Sequence, residues 1–293
     1  MLRPRLIYGT LIIGLLSAFC WADAHAAREG IWLAPLALLL CGMATHEMLV
    51  MFRAAGRQPI VWATHLGTLL PVLGACAPLV WAAESARFTS GKLAWFAGGM
   101  AAGLMVAILA EVRRYRQPGQ AIANLACAAL SILYIGGLLG FVVQLRLVHS
   151  DPWGLAALVS MLGTVKLSDS AQYVFGNWIG KRKLAPELSP GKTWEGAIYG
   201  LAAAVVVASL VLWLVFGHLG IDQSLARVAL YCLLVGFAGL SGDLAESMLK
   251  RDAGVKDSSR WLPGLGGVLD MLDSLLFAAP VAYFCWAGGL VGP

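Results

Sequence analysis

Residues 196–217 read GAIYGLAAAVVVASLVLWLVFG, an unbroken run without one charged side chain. A helix rises about 1.5 Å per residue, so a run of this length covers the roughly 30 Å hydrocarbon layer of a bilayer. Comparable runs stand near 6–22, 31–52, 60–83, 93–111, 121–143, 153–175, 226–249 and 266–287. Together they predict nine membrane helices in an all-α, polytopic transmembrane bundle. Composition agrees: of 293 residues, 59% are hydrophobic and 13% charged, with a mean hydropathy of +0.77, whereas soluble domains carry about 25% charged residues. No separate soluble domain is expected.

Lys and Arg collect on the cytoplasmic side of membrane proteins. Placing the N-terminus in the cytoplasm puts fifteen basic residues inside, from Arg3 and Arg5 to Lys256 and Arg260, against five outside: Arg28, Arg87, Lys92, Arg146 and Arg227. Lys166 falls within a helix and completes the 21. A one-helix error would scramble this asymmetry, so it supports both the number of spans and a cytoplasmic N-terminus. An alternative for the first run is a signal peptide ending at Ala22–Ala26, which leaves the later orientation unchanged. The six cysteines lie in apolar runs with no paired spacing, so they read as buried hydrophobes. His46-Glu47 begins like a zinc-protease helix, but no histidine follows at the required spacing, and the histidines are given no role.

The chain reads as one integrated membrane domain with two parts. Residues 1–150 carry almost no charge inside helices, only Glu47 and Glu111 near ends, and show close-packing pairs such as Gly99 with Gly103 and Gly136 with Gly140. This part reads as scaffold. Residues 151–293 concentrate ionisable groups within helices: Lys166, Asp169 and Tyr173, then Asp243, Glu246, Ser247 and Lys250, then Asp270, Asp273 and Ser274. Charge in hydrocarbon is costly and marks candidate functional positions. Asp243, Glu246, Ser247 and Lys250 share one helix face, and Asp270, Asp273 and Ser274 repeat that geometry. Two acidic faces near the cytoplasmic end suit an oxygen-ligand Mg²⁺ site completed by substrate phosphates. Ion or proton transport and buried ion pairs holding the bundle fit the same spacing.

Two cytoplasmic loops, 180–196 and 250–267, bring basic residues to that surface. Gly191-Lys192-Thr193 lacks the Walker A spacing, because Pro186 stands where a glycine is needed. A glycine-rich turn with nearby lysines can still cradle phosphate, although basic flanks that bind anionic headgroups are common. Phosphate-binding loops meeting paired carboxylates at one surface suit phosphoryl or nucleotidyl transfer to a lipid.

The ordered pattern Ser247-Met248-Leu249-Lys250-Arg251, Lys256-Asp257, Pro263-Gly264, Gly266-Gly267, Leu269-Asp270 and Asp273-Ser274 resembles the C-terminal signature of the phosphatidate cytidylyltransferase (CDP-diacylglycerol synthase) family. Gly242-Asp243 with Glu246, the stretch Ser189-Pro190-Gly191-Lys192-Thr193-Trp194-Glu195-Gly196, and Asp169, Tyr173 and Gly176 also match. The likeness covers residues 165–275 by motif and the remainder by hydropathy. Leu265 replaces a usual histidine, Met271 a usual arginine and Ser259 a usual glycine, while Ala171-Gln172 replaces Gly-Ala.

The resemblance implies transfer of CMP from CTP to phosphatidate, giving CDP-diacylglycerol and diphosphate in phospholipid biosynthesis. It implies Mg²⁺ held by Asp243 and Asp270, with a second cation such as K⁺. Lys250 and Asp273 join those two as catalytic candidates. Ser189, Lys192, Thr193, Glu195, Ser247, Arg251, Lys256, Asp257, Asp169 and Tyr173 are the substrate-binding candidates. Membrane lipid, no nucleic acid, a homodimer and an inner-membrane site facing the cytoplasm complete the expectation. The alternatives are a CTP-dependent lipid kinase, such as a polyprenol kinase, and an ion-coupled transporter. A CDP-alcohol phosphotransferase expects aspartates four apart, whereas Asp270 and Asp273 are three apart.

Overall fold

The computed structural model describes residues 2–80, 91–220, 223–259, 261 and 266–293, with side chains from residue 8 onward. Arg87, Arg260, Pro263, Gly264 and Leu265, and the side chains of Arg3 and Arg5, lie outside the described residues. Nine helical rods occur among those described: α1 (Leu2–Ala24), α2 (Leu33–Ala54), α3 (Val61–Val80), α4 (Gly91–Arg114), α5 (Ala121–Arg146), α6 (Trp153–Ile179), α7 (Trp194–His218), α8 (Leu225–Asp252) and α9 (Val268–Ala287). Seven of them, α2–α5 and α7–α9, are long and apolar enough to cross a membrane. Their outward faces are apolar too: Val206, Val207, Leu210, Val211 and Leu214 on α7 all stand exposed. A surface of that kind suits lipid rather than water, so the protein is an integral, polytopic membrane protein.

The chain divides into two compact units, residues 1–147 with 252–271, and residues 148–251 with 272–293. In the first unit α3 and α4 meet backbone to backbone. A Cβ added at Gly103 would stand 2.4 Å from Gly67 O, and one at Gly99 would stand 2.4 Å from Leu70 O. Small residues let helices approach this closely where lipid supplies no hydrophobic drive. The middle of α5, Ile132–Gly137, is a π-helical turn, and Gly136 there lies against Thr68 O of α3. Gly99, Gly103 and Gly136 thus meet a neighbouring helix backbone, whereas Gly140 lies against the Phe96 ring.

Asp23, at the end of α1, is buried and fully engaged. Its Oδ2 accepts from Arg146 Nε (2.8 Å) and Gly30 N (3.0 Å), its Oδ1 accepts from Trp32 N (3.0 Å), and Arg146 Nη2 stands 2.8 Å from Oδ2. This staple joins α1, the α1–α2 turn and the end of α5. The scaffold half therefore holds a buried ion pair that hydropathy alone placed in a loop.

In the second unit α6 and α7 cross just as closely. A Cβ at Gly196 would lie 2.7 Å from Gly176 Cα, and one at Gly200 would lie 2.5 Å from Gln172 Cα. On α8, Gly236, Gly239 and Gly242 recur every third residue and turn one face toward Ser168, Val165 and the Asp273 carbonyl. Loop 180–196 contains a two-stranded antiparallel hairpin, β1 (Lys183–Ala185) and β2 (Ser189–Thr193), pairing Lys183 with Thr193 and Ala185 with Ser189. It is the one β-sheet among the described residues of an otherwise α-helical protein.

Candidate active site

The second unit gathers most of the residues singled out by motif. Lys192, on β2, places its Nζ 2.6 Å from Asp243 Oδ2 on α8. Ser247, one turn further along α8, lies 3.4 Å from Asp243 Oδ1. Lys166 Nζ lies 3.5 Å from Asp169 Oδ2 on α6. Asp169, Asp243 and Asp273 lie within electrostatic reach of one another, Lys166 acts on Asp169 and Asp273, and Lys192 acts on Asp169 as well. Three carboxyl groups and two ammonium groups therefore share one cluster. The donors are all oxygen, which suits Mg²⁺. Among the described residues no three His, Cys, Asp or Glu side chains form a ready-made metal cage. A Mg²⁺ ion that leans on substrate phosphates requires none.

Other motif residues shape the frame. Thr193 is the N-cap of α7, its Oγ1 accepting from Gly196 N at 3.1 Å. Glu195 Oε2 accepts from Lys181 N and Arg182 N, both at 3.0 Å, and so holds the loop before β1. These contacts fix the hairpin that carries Lys192. Gly196 lets α7 pass this closely, whereas a Cβ at Gly176 would meet Thr193 Oγ1 and Gly196 Cα at ordinary contact distance. Arg251 Nε donates to Leu188 O at the hairpin turn (3.1 Å). Lys250 pairs with Glu246, which is wholly buried on α8. Ser189 is half-buried on β2, and Tyr173 is exposed on α6.

The remaining candidates belong to the first unit. Lys256 and Asp257 are exposed after α8. Asp270, in the first turn of α9, accepts at Oδ2 from Ser258 N (2.9 Å), Ser258 Oγ (2.7 Å) and Gly267 N (2.7 Å). The bond to Gly267 N is the returning half of a capping box. One residue here was missed by sequence reasoning: Glu47 of α2 accepts four hydrogen bonds from residues 258–269. Its place near a helix end, in a part read as scaffold, hid it. The signal available was a lone carboxylate within an apolar run.

Comparison with known proteins extends over nearly the full length, because residues 3–287 match the model of the cytidylyltransferase family. The protein belongs to this family. Among curated relatives, the phosphatidate cytidylyltransferase of Haemophilus influenzae is 44% identical over 147 residues, covering 49% of this chain and 51% of that protein. That of Synechocystis is 35% identical over 193 residues, covering 57% of this chain and 64% of the relative. That of Bacillus subtilis is 39% identical over 158 residues, covering 54% and 56%. The chain thus spans between about half and two thirds of the length of these relatives. Within the cytidylyltransferase family frame, the motif segments supply the Lys192–Asp243 pair, the α6–α7 crossing and the Asp270 cap.

Proposed function

We propose that this protein is a CTP:phosphatidate cytidylyltransferase. A phosphate oxygen of phosphatidate attacks the α-phosphorus of CTP, the bond between the α- and β-phosphates breaks, and CDP-diacylglycerol and diphosphate form. The observation that carries the reading is the Lys192–Asp243 pair beside Asp169 and Asp273, four motif residues from separate elements in one charged cluster. The names of the relatives agree with it.

Asp243 and Asp270 would hold Mg²⁺, with K⁺ as the candidate second cation. Mg²⁺ supplies charge neutralisation on the transferring phosphates. Lys192, Lys250, Arg251 and Lys256 bind CTP and phosphatidate phosphates, while Ser189, Thr193, Glu195, Ser247, Asp257, Asp169 and Tyr173 shape the substrate surface. The phosphatidate phosphate is already ionised, so catalysis consists of positioning and electrostatic stabilisation. All nine rods cross the bilayer in this reading, with the N-terminus and active site at the cytoplasmic face of the cell inner membrane. A homodimer is the proposed assembly.

Purified protein incubated with phosphatidate, Mg²⁺ and CTP labelled at the α-phosphate should pass label into lipid. EDTA and the variants D243N and D270N should stop the transfer. Release of CDP with γ-phosphate appearing on lipid would instead assign a lipid kinase. Solute flux without CTP use would assign a transporter.

A further inference from the structure

The first unit contains a carboxylate that the proposed chemistry does not use. Glu47, on α2, is 3% exposed. Its Oε1 accepts from Val268 N (2.9 Å) and Ser259 Oγ (2.8 Å), and its Oε2 accepts from Leu269 N (2.8 Å) and Ser258 Oγ (2.8 Å). The Val268 and Leu269 amides are first-turn donors of α9, which have no partner inside the helix. A negative charge is favoured at that end.

A helix cap usually comes from the residue just before the first turn. Here that residue is Gly267, which has no side chain to offer. A Cβ at Gly267 would fall 2.3 Å from Glu47 Oε2 and 2.2 Å from Ser258 Oγ. The space of a local cap is therefore filled by a carboxylate from a helix 221 residues earlier than Val268. Ser259, where the family pattern has glycine, gives this chain one donor that a glycine would not supply.

The same segment carries Asp270. The Ser258 hydroxyl lies 2.8 Å from Glu47 Oε2 and 2.7 Å from Asp270 Oδ2. It has one hydrogen for two carboxylates. We propose that Glu47 is a positioning residue for Asp270. It fixes Ser258, Ser259 and the start of α9 so that Asp270 is held in one orientation, and it takes the Ser258 hydroxyl hydrogen when Asp270 engages a divalent cation. The inference rests on the reading above in which Asp270 holds that cation. Only an all-acceptor side chain serves four donors: in E47Q an amide NH₂ would confront one of the two donor pairs.

The test uses the full-length protein in detergent, with Mn²⁺ as the probe, titrated by electron paramagnetic resonance without CTP. E47Q is expected to weaken Mn²⁺ binding about tenfold, the lower end of what second-layer substitutions cost. It should raise the half-saturating Mg²⁺ concentration for turnover by a similar factor, while kcat at saturating Mg²⁺ changes by no more than about threefold. If E47Q does not accumulate as folded protein, S258A decides by the same titration, with about fivefold weakening expected. Unaltered Mn²⁺ binding in the deciding variant, with or without a lower unfolding temperature, would make Glu47 a structural cap and overturn the proposal, provided D270N loses the ion. Normal Mn²⁺ binding by D270N would refute the cation role of Asp270 itself, and the positioning role with it.

Discussion

The Lys192 ammonium lies 2.6 Å from the Asp243 carboxylate, joining the hairpin of loop 180–196 to the face of α8 that also bears Ser247. Both partners are partly open to solvent, so the pair can exchange partners without burying an unpaired charge. In the proposed reaction Lys192 leaves Asp243 for a CTP phosphate, and the freed Asp243 carboxylate would be available to hold Mg²⁺.

That exchange predicts a separation of parameters. K192A should raise the KM for CTP at least about tenfold, equivalent to about 1.4 kcal/mol of binding. The variant should remain folded, because the pair it removes is not fully buried. Steady-state kinetics across a CTP series checks this; an unchanged KM would leave Lys192 as a partner of Asp243 with no part in CTP binding.

The Asp23–Arg146 pair has the opposite character, since both side chains are essentially removed from solvent. Removing one partner of such a pair costs about 3–5 kcal/mol, because the other charge is left uncompensated. D23N and R146A should each lower the unfolding temperature in detergent markedly. The double variant should lose less than the sum of the two, the mark of a direct coupling.

Close backbone contact between α3 and α4 gives a third expectation. G103V places a side chain where Gly67 O stands 2.4 Å from the new Cβ, and overpacking of that kind costs about 1–3 kcal/mol or more. G98A, on the same helix, meets nothing within 4 Å, and should leave stability unchanged or raise it by up to about 1 kcal/mol. Parallel thermal unfolding of the two variants tests the distinction.

Glu195 anchors the amides of Lys181 and Arg182, at a stretch of three consecutive trypsin-sensitive residues, Lys181-Arg182-Lys183. E195A should accelerate tryptic cleavage there several-fold in detergent-solubilised protein, and E195D should partly restore protection. Equal cleavage rates in all three proteins would remove Glu195 from the loop's support.

Much of the fold could be read directly from the chain. A run such as 196–217 has too little polar surface for water and enough length for a bilayer, so its helical, lipid-facing state follows from composition and reach. The rods observed begin and end within a few residues of the runs read from hydropathy. Glycine spacing also spoke locally, because a helix face repeats every three or four residues. The family pattern in the sequence names Lys192, Asp243, Asp270 and their neighbours.

Other features depend on pairings between distant positions, which local periodicity does not encode. Loop 180–196 gave no strand signal, yet Glu195 and the Thr193 cap fold it into a hairpin that delivers Lys192 to Asp243. Arg146 looked like an exposed loop cation, and Glu47 like a stray charge near a helix end. What the sequence alone determined was the class of molecule and the chemical types in its motifs, since both follow from local composition and order. Only the tertiary structure decided that residues 252–271 fold back into the N-terminal unit and that Glu47 caps the helix bearing Asp270. A buried carboxylate must satisfy its acceptors with whichever donors the fold brings within about 3 Å, and no one-dimensional pattern records which those are.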